Sequence, residues 1–177
     1  MKPITPFQSK LSAHHLLERK EVVAANGNTS VRRDEYRLDV AHCLPEFAPF
    51  LECWNANRHY ADLPTLKDFD GLRHSSSIAG IHLVDVACAD PGEFVYLQFD
   101  SSTRLDDRDM TGTYVAEYPD AALSNSGLVD YQTAATLRRC TFMEVSVKAD
   151  RTSRKFARLI LPLREGRGRH ATKLLVV

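Results

Sequence analysis

Residues 80 to 99 read Gly-Ile-His-Leu-Val-Asp-Val-Ala-Cys-Ala-Asp-Pro-Gly-Glu-Phe-Val-Tyr-Leu-Gln-Phe, and this stretch decides the fold class. Its two apolar runs, 81 to 87 and 94 to 99, are rich in branched and aromatic residues, which favour β-strands. Asp90-Pro91-Gly92 between them has the chemistry of a turn, because proline presets one backbone dihedral and glycine accepts the unusual one. The stretch therefore predicts a β-hairpin.

The chain that follows has a helical pattern first and then three strand patterns. A polar segment leads into a predicted helix that Ser124 or Ser126 caps and that ends near Arg138. Three further strands are predicted, over residues 141 to 148, 156 to 163 and 172 to 177. Two strands, a helical middle and three strands predict an α+β fold: a five-stranded antiparallel sheet with helices packed on one face.

The residues before the hairpin divide into two parts. Residues 1 to 43 are predicted to form an N-terminal extension with a helix around Leu11 to Glu21, whereas 31 to 40 has no clear period and fits a strand, a helical turn or an ordered arm. Residues 44 to 177 form the predicted domain. Its first helix carries an apolar stripe from Leu44 to Trp54 and is either kinked or begins at Pro49, because proline removes a backbone donor inside a helix.

Composition narrows the class of protein. Of the 177 residues, 44% are hydrophobic and 26% charged, as in globular proteins with a core of their own. Lys plus Arg and Asp plus Glu number 23 each, so the formal net charge is zero. Nucleic acids and anionic membranes attract proteins with surplus positive charge, so neither is an expected partner.

The cellular location is predicted from features that the sequence lacks. No run approaches the roughly 20 apolar residues of a membrane helix, and the first residues lack the apolar core of a signal peptide. The four cysteines lie far apart and form no Cys-x-x-Cys pair, so they are predicted to be reduced, mostly buried thiols. These features predict a cytoplasmic protein without a membrane span.

Three motifs make the chain similar to a known family. They are Leu63-Pro64 leading to Ile81–Val86, then Arg108-Asp109-Met110-Thr111-Gly112, and then Arg158–Leu163 before a glycine-containing turn. In this order, and on these elements, they resemble the short stand-alone bacterial PAS proteins over about residues 44 to 177. One step departs from the pattern: Gln98 to Ser102 lacks the glycine that such proteins carry after the second strand.

The resemblance implies a sensory or regulatory module in bacterial signalling, with no catalytic residues. PAS domains bind a small molecule between the sheet and the long helix, or bind only a protein partner, and many pair as homodimers. The candidate ligand-binding residues are those that such a pocket would take from the sheet and the long helix: His82, Tyr96, Gln98, Tyr131, Gln132, Thr136, Met143 and Arg158.

The identity of a cofactor stays open. A haem-binding PAS domain takes its axial histidine from the long helix, and residues 124 to 138 contain neither histidine nor cysteine. Haem and covalently attached flavin are therefore disfavoured, and no metal site is predicted.

Two other functions compete with a ligand-binding sensor. The chain could be a ligand-free interaction protein that forms a homodimer through residues 8 to 25. It could also be a small-molecule enzyme on a similar fold, with His82 or Asp85 as the base.

Overall fold

The computed structural model describes residues 15–23, 28–58, 62–75, 80–100, 108–149, 152–166 and 168–177. Within them, seven strands form one antiparallel sheet in the order β1-β2-β5-β6-β7-β3-β4. The strands are β1 (Leu16–Val23), β2 (Thr29–Tyr36), β3 (His82–Asp85), β4 (Val95–Gln98), β5 (Thr141–Ala149), β6 (Thr152–Leu163) and β7 (Lys173–Val176).

The sheet has two strands more than predicted, and both come from the N-terminal extension. The predicted helix is wrong for residues 16 to 21, which lie in β1. This strand pairs with β2 from Leu16–Tyr36 to Val23–Ser30. As an edge strand with most of both faces in water, β1 has no alternation of apolar and polar residues to distinguish it from a helix. Leu11 and Ala13 lie outside the described residues.

The hairpin predicted from residues 80 to 99 is confirmed as β3 and β4. In the turn of this hairpin, the side chain of Asp90 accepts a hydrogen bond of 2.8 Å from the backbone N–H of Gly92. The outer edge of β4 is covered, because the backbone N–H of Tyr96 donates to the carbonyl of Thr113 and that of Val115 to the carbonyl of Phe94. Gly112, just before this segment, has a positive φ of 82°, which allows the chain to turn back along β4.

Four α-helices accompany the sheet in the described residues: α1 (Leu38–His42), α2 (Ala48–Asn57), α3 (Asp70–Ser75) and α4 (Ala121–Leu137). Pro49 is the second residue of α2, where a missing N–H costs nothing. The cap predicted for α4 is wrong. Asp120, not Ser124 or Ser126, accepts hydrogen bonds at the start of this helix.

The helices lie on both faces of the sheet, so the prediction of helices on one face is wrong. The first face carries α1 and α2, whose buried apolar residues pack with Phe142, Leu159 and Leu175. The second face carries α4, which packs on Met143 and Ile160. Successive strand residues point to opposite faces, so both faces of β5 and β6 are buried.

Two details complete the fold. All four cysteines are free, but only Cys140 is buried, and Cys43 and Cys88 are exposed, so the prediction of mostly buried thiols is wrong. None of the described helices is both long enough and apolar enough to cross a membrane.

Candidate functional site

A buried ion cluster lies between α4 and the second face of the sheet. Asp130, on α4, bonds to Arg33 of β2 through one carboxylate oxygen and to Arg158 of β6 through the other. Arg33 also donates to the carbonyl oxygen of Ser126, 3.2 Å away. Only 8% of Asp130 and 6% of Arg33 are exposed. One carboxylate therefore holds together three elements that are distant in sequence.

Strand register places the two arginines on the same face. Arg33 lies opposite Val145 of β5, and Arg158 lies opposite Met143, two residues earlier on the same strand. Side chains two residues apart on a strand share a face. Both guanidinium groups therefore reach the helix that covers that face.

The electrostatics of the cluster combine desolvation with opposite charge. Burial raises the pKa of Asp130, and the charges of Arg158 and Arg33 oppose this rise. Burial alone would lower the pKa of Arg158, but the charge of Asp130 raises it above its usual value. With two cations around one carboxylate, the cluster has an excess of positive charge inside the protein.

Two tyrosines continue the cluster along the sheet. The guanidinium carbon of Arg158 lies 5.6 Å from the ring centroid of Tyr131, and its Nη2 is 3.4 Å from the sulfur of Met143. Tyr131 and Tyr96 are 3% and 6% exposed. Burial, together with the neighbouring Tyr131, raises the pKa of Tyr96, so its hydroxyl stays protonated.

His82 lies at the end of this row of side chains. Its ring stacks on Phe99 at 4.4 Å between centroids and meets Tyr96 edge-on at 6.2 Å. The backbone N–H of Asp100 donates to its Nδ1 over 3.1 Å. Burial lowers the pKa of His82 to about 4, a direction that Arg158 reinforces and Asp100 opposes. The imidazole is therefore neutral near pH 7.

The predicted ligand-binding residues separate into two groups. Tyr96, Tyr131, Met143 and Arg158 come together around the ion cluster, with His82 beside Tyr96. The others lie apart: Gln132 and Thr136 are exposed on α4, and Gln98 is an exposed residue whose side-chain oxygen accepts a 2.6 Å hydrogen bond from Arg73 on α3.

Asp130 and Arg33 were not among the predicted site residues. An aspartate between Val129 and Tyr131 on an amphipathic helix has the pattern of a solvent-facing position, and Arg33 lies in a charged stretch without a period. Asp130 lies four residues before Ala134, and the structure shows that both belong to the buried face of α4.

A partly open cleft adjoins the cluster where α4 passes the β1–β2 hairpin. Its volume is about 60 Å³, room for a few water molecules or one small solute. It is lined by Glu18, Lys20, Arg33, Glu35, Val129, Asp130, Thr133, Arg139, Thr141 and Met143. Six of these side chains carry charge, so the cleft suits a small polar solute.

Neither His82 nor Asp85, the two residues named as possible catalytic bases, lines this cleft. Asp85 accepts a hydrogen bond from the backbone N–H of Ala87, 2.9 Å away, and belongs to the opposite face of β3 from His82. In the described part of the chain, no three His, Cys, Asp or Glu side chains are grouped as a metal site.

Comparisons with protein-family models, with curated proteins and with solved structures gave no match to this chain.

Proposed function

We propose that this chain is a non-catalytic sensory or regulatory module of the PAS type, which binds a small molecule, a protein partner or both in bacterial signalling. The observation that carries the proposal is the element order. In chain order, β3 and β4 are followed by helical segments that end in α4, and then by β5 to β7. These five strands belong to one antiparallel sheet, and α4 lies over its second face.

The ion cluster supports a binding role at the interface of helix and sheet. A buried ion pair is weak support for stability, since apolar residues of similar volume often stabilise a core as well or better. Ligand sites combine an apolar lining with a few inward-facing polar groups. Arg158, Tyr131 and Tyr96 between apolar Met143 and Ile160 have this composition.

The setting of the module is part of the proposal. Four free cysteines suit a reducing compartment, so we place the protein in the cytoplasm. The PAS resemblance favours a homodimer that signals through a protein partner.

Native mass spectrometry of gently purified protein, paired with a denatured run, tests the proposal. We expect the wild-type chain to retain a small molecule that is lost on denaturation. Tyr131→Phe should lower its occupancy, because the variant removes only a buried hydroxyl next to Arg158. Gln132→Ala, at the exposed neighbouring position, is the matched control and should retain the molecule. A bare monomer that also captures no partner contradicts the proposal.

A ligand-free dimerising protein is the second candidate, and the edge strand favours it. Leu17 and Val23 on β1 are 58% and 57% exposed and lie on the strand at the free edge of the sheet, where a second chain can pair. If this edge forms the dimer, Leu17→Ser with Val23→Ser should give a monomer in sizing chromatography. A wild-type chain that elutes as a monomer removes this candidate.

A further inference from the structure

Strand β1 leaves one edge of the sheet open. It pairs with β2 on one side, and no strand in the described part of the chain pairs with its other side. The unpaired N–H and C=O groups of such an edge can bind another extended strand. At eight residues, Leu16–Val23, β1 is long enough for a ladder with a further strand.

The side chains of this edge strand are apolar at both ends and charged in the middle. Leu17 and Val23 are more than half exposed, and residues 18 to 21 all carry charge. Leu17 is the extra residue at the bulge between Leu16 and Glu18, so no residue of β2 lies directly opposite it. Charges protect an edge strand from association unless the approaching strand offers opposite charges.

Geometry restricts the ways in which two copies of β1 can pair. In an antiparallel ladder, opposed residues either both turn their N–H and C=O groups toward each other or both turn them away, and successive residues alternate. Two identical strands related by a twofold axis therefore have one residue directly opposite its own copy. For β1, the residues near the middle of the strand that can occupy this axis are Arg19, Lys20 and Glu21.

The charges favour Lys20 on the axis. In that register Leu17 lies opposite Val23 of the second copy and Arg19 lies opposite its Glu21, and both contacts occur twice by symmetry. With Arg19 on the axis, two guanidinium groups would face each other and Leu17 would meet Glu21. With Glu21 on the axis, two carboxylates would face each other, and directly opposed like charges destabilise a sheet.

The axial position itself tolerates a lysine. Nζ of Lys20 lies 2.8 Å from a carboxylate oxygen of Glu18 in the same strand, and both side chains are about half exposed. Each copy therefore brings its own counter-charge to the axis, and water screens what remains.

Arg19 is held in position at the edge before a second copy binds. Its Nε and Nη2 donate to the carboxylate of Asp34 at 2.6 and 3.0 Å, and the Asp34 side chain is only 4% exposed. A guanidinium group has five N–H donors, so donors remain for a second carboxylate. Glu21 of the second copy can therefore bind a side chain that is already ordered.

We propose that β1 pairs antiparallel with β1 of a second copy of this chain, about a twofold axis at Lys20, so that the two sheets become one. The apolar contacts of Leu17 with Val23 stabilise the pair, and the contacts of Arg19 with Glu21 set its register. This inference rests on the homodimer of the proposed function and specifies the surface and the register that form it.

Charge reversal tests the register in solution. Glu21→Arg places an arginine opposite Arg19 twice in the dimer and should raise the dissociation constant about tenfold or more in sedimentation equilibrium. Removing the charge alone, as in Glu21→Gln, should change little, because exposed ion pairs contribute little. Glu52→Arg makes the same change of net charge on an exposed position of α2 and is the matched control. An unchanged dissociation constant in Glu21→Arg, with its folding verified by circular dichroism, overturns the proposal.

Cross-linking then locates the axis. Lys20→Cys, in a chain whose exposed thiols are removed by Cys43→Ser and Cys88→Ser, is oxidised with glutathione disulfide and examined on a non-reducing gel. We expect a covalent dimer, because directly opposed Cα atoms lie about 4.5–5.5 Å apart, within the reach of a disulfide. Glu21→Cys in the same chain is the matched control. Its two copies are diagonal neighbours about 7–8 Å apart and should stay largely uncross-linked.

The outcomes separate the dimer from its register. A wild-type chain that sediments as a monomer overturns this inference together with the homodimer of the proposed function. A dimer in which Glu21→Cys or Arg19→Cys cross-links faster than Lys20→Cys keeps the homodimer and overturns the register. A dimer in which none of the three variants cross-links places the interface elsewhere and overturns the inference alone.

Discussion

Asp130 is the residue on which most of the buried charge depends. Asp130→Asn removes the carboxylate that neutralises Arg33 and Arg158 and leaves two cations in a desolvated site. Breaking a buried pair in this way costs about 3–5 kcal/mol. We expect the free energy of unfolding in urea to fall by about 3 kcal/mol, since asparagine still offers one acceptor oxygen.

The exposed Asp62→Asn is the matched control for this change and should alter stability by no more than about 0.5 kcal/mol. Replacing Arg33, Asp130 and Arg158 together by apolar residues should restore much of the stability lost in Asp130→Asn. A loss below about 1 kcal/mol in Asp130→Asn would show that water reaches the cluster.

Site residues could be predicted only where the neighbouring sequence indicates which way a side chain faces. Arg158 was a candidate because the PAS resemblance implies a pocket between the sheet and the long helix, and Arg158 lies in a predicted strand. Its partner Asp130 was not, because the ion pairs join residues 28 and 97 positions apart, and no local period encodes such contacts. Gln132 and Thr136 lie one and five positions after Tyr131, so they are turned by about 100° and about 140° from it around the helix axis and face water.

His82 gives the protein a calculable acid sensitivity. Its folded pKa of about 4 lies below the unfolded value near 6.5, so the unfolded chain binds the proton more readily. Burial of neutral His82 therefore leaves the free energy of unfolding unaffected above pH 6.5, and this free energy falls as the pH decreases from 6.5 to 4. The loss amounts to at most about 3 kcal/mol, because the ring is partly exposed.

His82→Asn keeps an acceptor for the N–H of Asp100 but cannot bind a proton. The decline in unfolding free energy between pH 7 and pH 4.5, measured by urea titration, should therefore be smaller in this variant than in the wild-type chain. His170→Asn, at an exposed position, should retain the wild-type decline. Equal slopes in wild type and His82→Asn would assign the acid sensitivity to other groups.

At the scale of elements, the start of α4 offers a direct test of helix capping. The carboxylate of Asp120 accepts hydrogen bonds from the N–H groups of Ala122 and Leu123, at 2.9 and 3.0 Å. Asp120→Ala should cost about 1 kcal/mol of stability, measured by urea denaturation. Asp120→Ser should recover most of this loss. Asn125→Ala, one turn further along on the exposed side, should be neutral or slightly stabilising, and a similar loss there would contradict the capping role.

The elements predicted well are those whose apolar residues follow the period of the structure. β3 to β7 were placed correctly because branched residues and Asp-Pro-Gly or Gly-containing turns mark them locally. Residues 16 to 21 of β1 were predicted as part of a helix because two leucines there precede a run of charged residues, all of them good helix formers. Pairing with β2, which no local signal encodes, decides its conformation.

At the scale of the whole molecule, the N-terminal hairpin shares the sheet and the cores of the rest of the chain. Val31 and Tyr36 of β2 are 0% and 6% exposed, one in each of the two apolar clusters. Burying such side chains contributes about 1.5–3 kcal/mol each. β2 also covers the edge of β5 with eight residue pairs, from Thr29–Ala149 to Tyr36–Phe142. The hairpin therefore contributes to folding as well as to the cleft.

A chain that begins at residue 44 tests this directly. Truncation exposes the edge of β5 that pairs with β2, and it leaves Asp130 with Arg158 alone. We expect the shortened chain to lose cooperative urea unfolding, or to unfold at a much lower midpoint, when followed by far-ultraviolet circular dichroism. The full chain with Glu21→Gln alters only an exposed side chain of β1 and should keep the wild-type midpoint. If the truncated chain unfolds with the full-length midpoint, β1 and β2 are an accessory to an independent five-stranded domain, and the cleft could be removed without cost to the fold.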